Sequence, residues 1–165
     1  MSGEKLTPKP LIEDYIPEYL NGDMQKRALD FTAYLRGNKM SPKGGNGAWK
    51  IYYKTFNVCA ISVQQNKFGI QLYIGEYEGD LLSEELKEIV WANIKPCRAD
   101  CKGGNCRLSV SKVFGKEGSV CETAVRFVNP NSKDMECIIK LIEIRRNDIL
   151  EGKAKKHTYI AMKNR

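Results

Sequence analysis

The sequence predicts an α+β protein in which an antiparallel sheet carries helices packed on one side. Between residues 49 and 74, apolar and polar side chains alternate in three consecutive runs, the period of half-buried strands. Elsewhere apolar residues recur at helical spacing, and the resulting order is helix, three strands, helix, two strands, helix.

Residues 1–22 carry Pro8, Pro10 and Pro17 among Leu11, Ile12, Tyr15, Ile16, Tyr19 and Leu20. That mixture predicts an extended arm laid over the core rather than a long helix, because proline removes a donor and restricts the residue before it. Asp23 can cap a first helix whose buried face is Met24, Ala28, Phe31, Thr32 and Leu35, and Gly37 ends it. Pro42–Gly47 reads as a flexible connection; it lacks the Gly-Lys-Ser/Thr of a phosphate-binding loop and follows no strand.

The three strand runs then set Trp49, Ile51 and Tyr53, next Cys59, Ile61 and Val63, and last Phe68, Ile70, Leu72 and Ile74 on one face. Short connections at residues 55–57 and 65–67 make them an antiparallel meander. One face is aliphatic and the other partly polar or aromatic, so helices are expected to cover one side only. Ser83 starts the next helix, with Glu84 and Glu85 at its positive end and Leu82, Leu86, Ile89, Val90 and Ile94 as its buried stripe; Pro96 stops it. Residues 107–114 and 120–128 read as a second antiparallel pair around residues 115–118. Asn131 or Ser132 caps a last helix with Met135, Ile138, Ile139, Ile142 and Ile149 inward, and Gly152 ends it.

A chain of 165 residues suits one domain, here residues 1–152, with a cysteine-rich loop at 97–106 and a basic tail at 153–165. The tail holds Lys153, Lys155, Lys156, Lys163 and Arg165, five of the seven net positive charges, so residues 1–152 keep only two. A near-neutral body with a basic tail differs from a basic groove; nucleic-acid binding through the tail is the alternative to a solvated tail. No apolar run reaches the roughly 18 residues of a membrane span, and residues 1–8 contain no secretory signal. Both features predict a cytoplasmic protein without membrane attachment, in which clustered thiols are metal ligands or redox groups before they are disulfides.

The densest chemical signal is Cys97, Cys101 and Cys106, three thiols within ten residues, with Cys121 fourteen intervening residues further on. Four thiolates can occupy the corners of a tetrahedral zinc, glycines such as Gly103 and Gly104 let a short loop turn sulfurs inward, and Arg98 and Lys102 offset the charge. The gaps of three and four residues are wider than those of common zinc knuckles. If residues 113–119 form the hairpin loop, Cys121 pairs near Ser111, roughly 15 Å along the strand from Cys106. The loop must then fold back, or Cys59 or Asp100 supplies the fourth ligand. Competing readings are an iron–sulfur cluster with one open iron, a thiol-redox loop and unligated thiols. Cys59 and Cys137 alternate with apolar residues and read as core.

A catalytic motif is not evident. The sole histidine, His157, lies in the basic tail, and a site of four thiolates leaves zinc no position for water. The acidic group Glu76, Glu78 and Asp80 could be an acid/base or cation site but reads better as a solvated strand end. The sequence leans away from an enzyme. Among the aromatics, Trp49, Tyr52, Tyr53, Tyr73 and Trp91 are candidates to line a pocket for a planar or cationic small molecule, against their forming the core.

Residues 49–54 (Trp-Lys-Ile-Tyr-Tyr-Lys) followed by Val58-Cys59-Ala60-Ile61 resemble the paired strands of YdhG-like and GyrI-like small-molecule-binding domains. Trp91-Ala92-Asn93 before a cysteine cluster, then Phe114-Gly115-Lys116-Glu117, Cys121 and Phe127-Val128-Asn129-Pro130, resemble a cysteine-rich family of cytosolic proteins from clostridial and related bacteria. The resemblance implies a bacterial cytosolic protein and groups Cys121 with the loop cysteines; it implies no activity. The expectation is therefore a non-enzymatic module that binds a small ligand or a protein partner, with a structural zinc on Cys97, Cys101, Cys106 and Cys121. A thiol-redox or metal-dependent enzyme or sensor is the alternative.

Overall fold

A computed structural model describes residues 8–74, 77–96, 111–118 and 120–154, with the backbone alone at 95, 96, 111 and 120–124. Helices α1 (Ile12–Tyr19) and α2 (Gly22–Gly37) precede strands β1 (Met40–Gly45), β2 (Ala48–Tyr53), β3 (Phe56–Gln64) and β4 (Lys67–Leu72). A short 3-10 turn (Gly79–Leu81), α3 (Glu84–Asn93), β5 (Ile94–Pro96), β6 (Ser111–Val113), β7 (Lys116–Gly118), β8 (Val120–Val128) and α4 (Ser132–Leu150) follow. Six strands form one antiparallel sheet in the order β1-β2-β3-β4-β8-β5, and β6-β7 form a separate hairpin. This is the α+β architecture the periodicities imply.

Strand alternation divides the sheet. Trp49, Ile51, Cys59, Ile61, Val63, Phe68, Ile70, Leu72, Val125 and Phe127 are buried in one cluster with the inward residues of all four helices. Burying that continuous apolar face is the main driving force for the fold. Helix α3 starts at Ser83, whose hydroxyl accepts from the Leu86 N–H, and α4 starts at a capping box in which Asn131 and Asp134 bond each other's backbone N–H.

Three segments depart from the sequence reading. Residues 12–19 are helical despite Pro17, because Ile12 and Ile16, one turn apart, are both buried, and Arg36 of α2 pairs with Glu13. The glycine-rich stretch after Met40 is an edge strand, joined to β2 by a two-residue turn in which Asn46 and Gly47 have φ of 54° and 85°. Asn-Gly suits this turn, and an edge strand tolerates Pro42. The second hairpin is also different. Ser111 pairs with Gly118 across Phe114-Gly115, and β8 leaves that hairpin to enter the main sheet between β4 and β5. The expected pairing of Cys121 near Ser111 is therefore wrong, and the separation argued from it no longer follows.

Candidate functional site

Cys97, Cys101 and Cys106 lie outside the described residues, and Cys121 is on β8 with only its backbone described. The flanks of the cysteine segment are nevertheless well placed. β5 ends at Pro96, which pairs with Val120 on β8. In sequence, Pro96 is followed by Cys97 and Val120 by Cys121.

On the far side of the segment, the β6-β7 hairpin is anchored on α3. The Trp91 Nε1–H donates to the Val113 carbonyl at 3.3 Å, and the Lys116 ammonium lies 4.8 Å from the Trp91 ring centroid. Phe114 is buried with φ of 48°, a left-handed conformation unfavourable for a bulky side chain, and its ring packs 5.3 Å from that of Tyr77. Packing of Phe114 offsets the strain of its turn. Both ends of the cysteine segment thus leave from fixed structure.

The five aromatic pocket candidates are not brought together. Trp49, Tyr53 and Tyr73 are buried, Trp49 and Tyr53 on the covered face of β2. Tyr52 points to the opposite face beneath the Lys43 ammonium at 5.1 Å, and Trp91 is the half-buried platform for Lys116. Sequence reasoning did not find a cleft of about 220 Å³ between α2 and α4, lined by Arg27, Asp30, Phe31, Ser132, Met135 and Ile139. Its volume falls below the roughly 300–1,000 Å³ usual for small-molecule pockets. No local period marks such a cleft, since it exists only where two helices meet.

The remaining titratable candidates are dispersed. Cys59 and Cys137 are fully buried; burial raises both thiols, Cys137 to about 12, so neither is a thiolate nucleophile near neutral pH. Glu78 and Asp80 are exposed, while Glu76 and His157 lie outside the described residues. Among the described residues no group of three or more His, Cys, Asp or Glu side chains could hold a metal, and no helix is long and apolar enough to cross a membrane.

On the other face of the sheet, the Lys9 side chain lies 3.5–3.8 Å from where a Cβ on Gly45 would stand, and Gly69 is buried against the Ser62 hydroxyl. Register runs one rung across five strands, from Lys43 through Lys50, Ala60 and Gln71 to Arg126. The next rung toward the β1-β2 turn contains Ser62, Gly69 and Val128, and Val128 is 48% exposed. Small residues occupy the centre of this face and cations its two sides. No family model matches the chain, and no curated protein or solved structure matches it.

Proposed function

We propose that this chain is a non-enzymatic binding module whose cysteine-rich segment is fastened to the sheet edge by a structural zinc on Cys97, Cys101, Cys106 and Cys121. The observation that carries the reading is the β5–β8 pairing, in which Pro96 opposes Val120 and the neighbours of both are cysteines. Only a compact loop is then needed to present the other two thiols, and the fourth ligand need not be sought at Cys59, which is buried in the core. Four thiolates would close the metal's coordination, which suits a structural role and not a catalytic one. Metal binding would supply folding free energy to the segment between β5 and β6.

Native mass spectrometry with metal analysis, on protein purified without chelator and on Cys101→Ser, tests the zinc. One zinc per chain that is lost in the variant is the expected result. Metal-free protein with four freely titrating thiols would overturn it and bring a thiol-redox function forward.

A further inference from the structure

We propose that the cleft between α2 and α4 binds a compact carboxylate with an apolar body, the size of a single-ring aromatic acid. The first observation is shape. Arg27, Asp30 and Phe31 of α2 and Ser132, Met135 and Ile139 of α4 line a space of about 220 Å³. Spacings of three and four residues put each set on one face of its helix. Farther along, the Arg146 guanidinium donates to the Asn38 side chain at 2.8 Å. The two helices therefore run in the same direction, tied toward their C-terminal ends, with the cleft toward their N-terminal ends. A cavity of roughly 150 Å³ is enough for benzene, so this one accepts a ring with a carboxylate and is too small for a drug-sized ligand.

The second observation is the charge in the wall. The Arg27 Nε–H is buried and has no acceptor among the described residues. A buried donor left unpaired costs free energy that an incoming acceptor recovers. The Nε–H and an Nη–H of a guanidinium form the fork that holds a carboxylate through both oxygens. Asp30 does not fill that role, because the Lys26 ammonium one turn earlier holds its carboxylate at 2.6 Å. That pair is neutral, and Arg27 is left as the net charge of the lining. Ser132 adds a hydroxyl donor and is the first residue of α4, where the helix dipole favours an anion. Phe31, Met135 and Ile139 supply apolar contact for the body of the ligand, and Ile139 is still partly exposed. A cation of the same shape would be repelled by Arg27, and an uncharged analogue would forgo the charge-assisted bonds.

The test is proton–nitrogen correlation NMR of the full chain, titrated with benzoate, benzyl alcohol and benzylamine. Expected is saturable binding of benzoate, about tenfold tighter than either analogue, with the largest shifts at the Arg27 Nε–H and at the amides of residues 27–31 and 132–139. Arg27→Met should weaken benzoate about tenfold without lowering Tm, since it removes a buried donor that has no partner. Arg27→Lys, which keeps the charge without the fork, should recover part of the affinity. Ile139→Trp should fill the cleft and abolish binding, whereas Asp30→Asn should leave it unchanged or tighten it. Were Arg27→Met to lose its fold, the preference among the three probes and the Ile139→Trp variant still decide the matter. No saturable binding, equal binding of the three probes, shifts centred elsewhere in the chain, or full affinity in a folded Arg27→Met or Ile139→Trp would each overturn the proposal. The outcome is independent of the zinc measurement, because none of the lining residues is a proposed ligand.

Discussion

The same strands present two surfaces with different physics. Along β3, Cys59, Ile61 and Val63 are essentially without solvent contact beneath the helices, whereas Ala60 and Ser62 between them face the other way and are partly exposed. Along β4 and β8, Ile70 and Phe127 pair on the covered side, and Gln71 and Arg126 pair on the other side. The covered side carries volume and apolar area, which set stability. The other side carries small, polar and cationic residues, which bury less apolar area.

Adjacent substitutions break this comparison most sharply. Ile61→Ala should cost about 3 kcal/mol, because it removes buried methyl groups from a packed cluster. Ser62→Ala, one residue away, should change stability by less than about 0.5 kcal/mol. Urea denaturation of the two variants checks this; comparable losses would mean that the second face is also packed.

A smaller effect tests what holds the helices over the covered face. Asn131→Ala removes the side-chain acceptor for the Asp134 N–H and half of the capping box of α4, and should cost about 1 kcal/mol, read as a lower Tm. An unchanged Tm would mean that packing alone fixes the start of that helix.

The smallest effect concerns the tie between α1 and α2. The hydrogen bond from the Arg36 guanidinium holds the Glu13 carboxyl below its ordinary value of 4.5. A carboxylate depressed in the folded state contributes stability above its unfolded pKa and loses it as the pH falls through the folded value. For a pair this exposed, the contribution is about 0.5 kcal/mol or less. Glu13→Gln should therefore be less stable than the parent at pH 7, and the difference should vanish by pH 3. A difference that persists at pH 3 would assign the effect to packing rather than charge.

Strands β2, β3 and β4 were legible because a half-buried strand repeats every two residues, and Ser83 and Asn131 mark helix starts through local hydrogen bonds. Pro17 concealed α1, since the burial of Ile12 and Ile16 that outweighs a missing donor comes from the sheet beneath them. Gly44 and Gly45 conceal β1, although Asn46-Gly47 beside them is a hairpin signal. The aromatic candidates were scattered because alternation sends Tyr52 and Tyr53 to opposite faces of β2.

By itself, then, the sequence determined the α+β class, the strand period that separates the two faces of the sheet, and the thiol spacing that suggests a metal. Those properties reside in neighbours along the chain, where propensity, periodicity and capping act. Only the tertiary structure decided that β8 lies between β4 and β5, that Pro96 therefore opposes Val120, and that Lys43 and Arg126 share one rung. Pairing between distant strands is selected by the burial of the whole apolar face, a sum over residues far apart in sequence, and no local pattern encodes it.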